Sequence, residues 1–220
     1  MRALACLLFA IALPAAAEQA SAPDALADKQ EHFGAVVAPA ALPGGSAAAY
    51  AFVGAPELGG GYRQGFSGFE LEGRASFNFF MLSAAVEAIA KLPVLHDGSF
   101  ELAPQLGFGL VYDSGSRYFD VSNFQHFGLR PRAGAVATFR VADTVRAIAA
   151  LDVPWDISTS PPGAYHVKAL VGGGAEIYLG EDISGLLLGQ IGPDIIKEPQ
   201  GVPQVRLGYQ LRLGVGFRLF

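Results

Sequence analysis

From about Ala47 onward, apolar and polar residues alternate with a period of two in one segment after another. The clearest runs from Phe69 to Phe79: Phe69, Leu71, Gly73, Ala75, Phe77 and Phe79 share one face, while Glu70, Glu72, Arg74, Ser76 and Asn78 share the other. The same two-sidedness recurs in Phe100–Tyr112, Phe127–Val141, Val145–Ile157, Tyr165–Leu179 and Val205–Leu219, and in none of them does a charge fall on the apolar face. A period of two places successive side chains on opposite sides of a strand. Gly, Asp, Ser and Pro punctuate the segments, as turns between strands require. Weaker segments are Ala85–Val94, drawable also as a helix, the nearly all-apolar Ile183–Ile195, Ala47–Val53, and Leu58–Phe66, where Gln64 sits on the wrong face. The pattern predicts an all-β, antiparallel, up-and-down barrel of ten strands, or eight if the first two lie outside the wall or fuse.

The apolar faces carry a length scale. Phe100 and Tyr112, Phe127 and Phe139, and Tyr165 and Ile177 each stand twelve residues apart. At roughly 3.3 Å per residue and a tilt near 40°, that separation rises about 30 Å. A membrane barrel needs an apolar band about 25 Å tall with aromatic residues at both edges. The expected girdle is Phe69, Phe100, Tyr112, Phe127, Phe139, Trp155, Tyr165 and Phe217. Short connections at 141–144 and 179–183 suit the periplasmic end; longer ones at 113–125, 158–164 and 196–203 suit the outer end.

Composition adds to this picture. Hydrophobic residues make up 51% of the chain and charged residues 16%. The longest uncharged stretch, 33–56, is broken by Pro39, Pro43, Gly44, Gly45 and Gly54, so it offers no membrane-spanning helix of about 20 residues. Met1-Arg2, the apolar run Ala3–Leu13 and the small residues Ala15–Ala17 form a signal-peptide pattern, with cleavage expected after Ala17. Cleavage would remove Cys6, the single cysteine, and with it any thiol chemistry. Residues 18–45, rich in Ala and Pro and without a steady period, are expected to be a flexible periplasmic leader, and 46–220 the barrel. The net charge of −5 excludes an electrostatic nucleic-acid binder.

The last nine residues add a family resemblance. Arg212, Gly214, Phe217, Leu219 and the terminal Phe220 form the pattern polar-x-Gly-x-x-hydrophobic-x-hydrophobic ahead of a final phenylalanine. This resembles the carboxy-terminal assembly signal of bacterial outer-membrane β-barrels, and with the girdle spacing it extends over residues 47–220. The resemblance implies an outer-membrane location, contact with outer-membrane lipid and lipopolysaccharide, and engagement of the barrel-assembly machinery. It names no functional subfamily.

The polar faces hold the candidate chemistry. Acids and bases are in near balance there, and in a narrow lumen they are expected to pair: Glu70, Glu72, Arg74, Glu101, Arg130, Arg132, Asp152, Asp156, Glu176, Arg206 and Arg212. Asp152 and Asp156, with His126 and His166 near the same rim, admit a surface hydrolase acting on lipid or peptide, although no motif accompanies them and no catalytic residue is assigned. No cofactor or metal is implied; Gly172-Gly173-Gly174 lies mid-strand and is no phosphate loop. The loop Asp113–Phe124, with Arg117, Tyr118 and Phe119, either meets an outside partner or folds over the barrel mouth. The favoured reading is a non-enzymatic outer-membrane barrel with a structural or surface-contact role and at most a narrow pore. Two alternatives stand beside it: the rim hydrolase, and a soluble secreted barrel holding an apolar ligand, which would turn its charges outward.

Overall fold

A computed structural model describes residues 34–97, 99–119, 123–180 and 182–220. Its strands are β1 (Ala47–Ala55), β2 (Glu57–Phe66), β3 (Phe69–Asn78), β4 (Ser83–Lys91), β5 (Leu95–Asp97), β6 (Phe100–Ser114), β7 (Gln125–Ala142), β8 (Val145–Ser160), β9 (Tyr165–Lys168), β10 (Leu170–Gly180), β11 (Ile183–Lys197) and β12 (Gln204–Arg218). The short β5 continues the line of β4 beside β6. β9 and β10, separated at Ala169, share the neighbours β8 and β11. All pairings are antiparallel, and β12 returns to β1 from Ala48↔Arg218 to Ala55↔Leu211. The wall is therefore a closed barrel of ten strand positions. Residues 83–91 are a strand: Ser83, Ala85, Glu87, Ile89 and Lys91 are buried, and the residues between them are mostly exposed.

The alternation read from the sequence becomes the division between outside and inside. Leu106 is 67% exposed, Val86 65% and Leu213 52%, whereas Glu70 and Glu176 are fully buried. A soluble barrel with charges outside and an apolar ligand inside requires the opposite arrangement, and this geometry overturns that alternative. Gln64 does point outward, at the end of β2 where strand gives way to turn. There it accepts from the Tyr62 hydroxyl at 2.7 Å and donates to the Ser46 carbonyl at 3.1 Å.

The wall is uneven in height. β1, β2 and β3 have 9 or 10 residues, whereas β6, β7, β8, β11 and β12 have 15 to 18. At the outer end, Gln204–Gln210 of β12 pair with β11 alone, because β1 stops opposite Leu211 and the chain turns back at Pro56. This leaves a notch in the outer rim.

The interior is not uniformly polar. Tyr50, Phe52, Ala103, Val136, Ile148, Leu186 and Leu188 form an apolar cluster inside the barrel, and Val36 and Ala40 complete it. The described part of the expected flexible leader, residues 34–45, is thus corrected: Ala35, Val36, Ala38, Ala40 and Leu42 are at most 4% exposed and lie inside the barrel end where the short turns are. An inward-facing apolar ring has no water-compatible surface to offer, so it takes the nearest chain that is small, apolar and uncharged. Residues 1–33, which include the expected signal peptide and the first part of the leader, lie outside the described residues. The wall is shaped for this occupant. A Cβ on Gly216 would stand 2.8 Å from the Ala35 Cβ, and one on Gly65 would stand 1.9 Å from the Pro43 carbonyl oxygen. Gly216→Val should therefore unseat residues 34–44 while the strands still close. Limited proteolysis of the refolded barrel tests this: the wild type should resist cleavage between residues 35 and 42, and the variant should be cut there about tenfold faster or more, the change expected when a protected segment opens.

Candidate functional site

The seat of the internal segment is built from carboxylates. Glu176 on β10 accepts four backbone N–H groups: Ala35 at 2.7 Å and Val36 at 2.9 Å on Oε1, Val37 and Ala38 at 2.8 Å each on Oε2. Ser184 donates to Oε1 at 2.5 Å. Glu101 on β6 accepts the Ala40 N–H at 2.8 Å, and Glu70 on β3 accepts that of Leu42 at 2.5 Å. Arg63 donates to the Pro39 carbonyl at 2.8 Å. A chain threaded through a lumen has no neighbouring strand to satisfy its N–H groups, and buried backbone donors must be paired. Ionised acceptors do this strongly. Glu176, predicted as part of an ion-paired network, spends its charge on N–H groups and makes no ion pair among the described residues.

Above this floor the charges pair along the inner face of the wall, within a strand or between strands one or two positions apart. Glu70 is held by Arg63 and Lys91 at 2.8 and 2.9 Å, and Glu72 by Arg74 and Lys91 at 2.7 Å each. The Tyr50 hydroxyl also donates to Glu72. Arg146 meets Glu101 at 2.9 Å. Arg132 bridges Glu87 at 2.8 Å and Asp152 at 2.5 Å, while Arg130 clasps both oxygens of Asp156. Asp194 lies between His166 at 2.5 Å and Arg206 at 2.9 Å. Arg212 approaches Glu57 at 3.6 Å and stacks over the Phe52 ring, 4.8 Å from its centroid. All eleven lumen positions expected from the sequence point inward. Arg63 and Glu57 were not anticipated: the run Gly59-Gly60-Gly61 between them hides the alternation of β2.

The rim carboxylates and histidines sit in separate contacts. Asp152 and Asp156 are each locked to a different arginine. His166 is committed to Asp194, and the His126 Nδ1 faces the Phe124 carbonyl at 3.2 Å. Among the described residues no three His, Cys, Asp or Glu side chains are placed to hold a metal ion.

Two small adjoining polar clefts, open to solvent, occupy the outer half of the lumen. They share Glu57, Arg130, Asp156, His166 and Lys168. The outer loop is part buried and part exposed. Asn123 is fully buried, donating to Asp113 at 2.8 Å and to the Met81 and Ser116 carbonyls at 3.1 and 3.0 Å, and Phe124 packs with Ala164 and Ile196. Tyr118 and Phe119 turn away from the barrel, with Phe119 against Phe80 at 5.1 Å between centroids. The girdle residues Tyr112, Phe127, Phe139, Trp155 and Phe217 are exposed on the outer surface, where Phe100 and Phe139 pair across β6 and β7 at 4.8 Å. Phe69 stacks on Phe66 at 5.0 Å, and Tyr165 is half-buried at the start of β9 beside Lys197. Of the terminal pattern, Arg212 points inward, while Phe217, Leu219 and Phe220 are exposed outside.

No protein-family model matches the chain. No curated protein matches it either. Among solved structures it is similar to the KdgM porin, with 13% sequence identity and a TM-score of 0.40 over 80% of this chain and 99% of that one. It is likewise similar to the KdgM porin in complex with disordered oligogalacturonate, at 12% identity and the same score and coverage.

The Arg132 bridge supplies a stability test. Arg132→Ala strands Glu87 and Asp152 in the lumen, and removing one partner of a buried ion pair costs about 3–5 kcal/mol. The triple variant Arg132→Met, Glu87→Gln, Asp152→Asn removes all three charges and should recover most of that loss. Urea unfolding of the refolded protein, followed by its heat-modifiable gel migration, measures both.

Proposed function

We propose that this chain is an integral barrel of a bacterial outer membrane, delivered by cleavage of residues 1–17. In this reading it acts as a self-plugged structural or surface-contact protein rather than an open pore. One observation carries the proposal: a closed sheet presents apolar side chains outward all round, while its lumen is filled by ion pairs and by the chain's own residues 34–44. Only a nonpolar surrounding makes that outward face stable, and only a closed barrel satisfies every strand within it. The expected partners follow. Lipid covers the belt, lipopolysaccharide borders the outer girdle, and the exposed Leu219 and Phe220 are the groups available to the assembly machinery. Tyr118, Phe119 and Phe80 form the surface open to a contact outside the cell.

Against a conducting role stands the floor of the lumen. A narrow path for water or ions would have to pass the apolar cluster around Val36 and the carboxylate seat beneath it. Steady current through the wild-type protein in a planar bilayer would therefore sink the anchor reading. We expect none from the wild type, and openings from Glu176→Gln or from a chain lacking residues 18–44. Membrane insertion is checked separately through Trp155, the single tryptophan, which is 49% exposed on the outer surface. Its fluorescence should fall strongly in vesicles whose acyl chains carry bromine and remain high in unbrominated ones. Equal intensities would mean that hydrocarbon does not reach this face.

A further inference from the structure

Resting on the membrane reading, we infer that the outer vestibule is a site for the anionic headgroup of an outer-leaflet amphiphile, entered sideways through the notch beside β12. The inference starts from the register. Gln204–Gln210 have β11 on one side and, among the described residues, no strand on the other. Outward from the same stretch point Leu207, 70% exposed, and Tyr209, 51% exposed. The lipid-facing surface thus continues on β12 at a height where the neighbouring wall, β1, has already ended. An unpaired strand edge is untenable in hydrocarbon unless it lines a polar space.

Such a space is present at that point. Pro56, Glu57, Tyr209 and Gln210, the residues that flank the notch, also line the larger cavity. Within it Lys168 makes no hydrogen bond or ion pair among the described residues; its charge is answered only at a distance by Glu57, Asp156 and Asp194. Arg212, 8% exposed, leaves its Nε without a hydrogen-bond partner and reaches Glu57 only at 3.6 Å. Gln210 donates to the same Glu57 oxygen, Oε2, at 2.7 Å. The remaining cations of the cavity, Arg130 and Arg132, are fully engaged by Asp156, Asp152 and Glu87. Two under-satisfied cations facing a polar cavity call for a phosphate or carboxylate. Below and beside the notch the exposed Val53, Leu58 and Leu207 give the attached chains an apolar surface to follow, continuous with the belt. A headgroup seated there would also offer oxygens to the open edge of β12.

The test uses the folded protein from Glu18 onward in a neutral maltoside detergent, with native mass spectrometry after adding phosphatidylglycerol, phosphatidylcholine or inorganic phosphate. Phosphatidylglycerol should be retained over phosphatidylcholine by about tenfold, and Lys168→Gln or Arg212→Gln should abolish that preference, as loss of one charge-assisted hydrogen bond predicts. Equal retention of the two lipids, or a preference that survives both variants, overturns the inference. Full displacement by millimolar phosphate would assign the vestibule to a soluble anion and overturn it as well. Because Arg212 lies within the assembly-signal pattern, a second measurement is made after folding: Tyr209→Cys, coupled to a bulky maleimide, should block retention of phosphatidylglycerol. Unchanged retention rules out the lateral route. Trp155 quenching after reconstitution of the same protein into brominated vesicles shows whether the barrel is inserted, so a failed site is distinguishable from a failed membrane reading.

Discussion

Charges inside a closed sheet have few places other than the sheet itself in which to find their partners. That constraint organises this molecule. Strand alternation sends half of the side chains into one narrow space, and β12 closes on β1 along most of its length, leaving only the outer rim open. A guanidinium or carboxylate there has little water to fall back on, so most find a partner on a nearby strand: Arg132 between Glu87 and Asp152, Arg130 on Asp156, Arg63 and Lys91 on Glu70. These pairs are not a source of large net stability, since desolvation offsets much of their attraction. Their effect is positional. They fix which faces meet, and they make the loss of any one partner expensive.

The same constraint explains the segment in the floor. A peptide inside the lumen brings N–H groups that need acceptors and apolar side chains that need cover. Glu176, Glu101 and Glu70 supply the acceptors, and the cluster around Phe52, Ile148 and Leu188 supplies the cover. Glycine at 216 and 65 makes the room. Electrostatics and packing thus agree on one occupant, and the agreement turns what composition marked as a leader into part of the core.

Uneven strand length shapes the outer half. Where β1, β2 and β3 stop short, the lumen has no wall on one side, and the outward apolar face of β12 continues past the gap. Residues 34–44 and the apolar cluster occupy one end of the lumen, and small polar clefts remain at the other, beside the rim.

Much of this was legible in the residues. The alternation in Phe69–Phe79 or Phe100–Tyr112 determines which side chains share a face, because a strand has a period of two whatever its neighbours. It also placed Asp152, Arg132 and Glu176 in the lumen. The run Gly59-Gly60-Gly61 carries no side chains to alternate, and so Glu57 and Arg63 escaped notice. Pairing partners, the seating of residues 34–44 and the notch were decided only by tertiary structure. Ala35 and its acceptor Glu176 are 141 positions apart, and no local pattern encodes a contact across a barrel. Strand register, set by closure and shear, determines what faces what; period determines only which way each residue points.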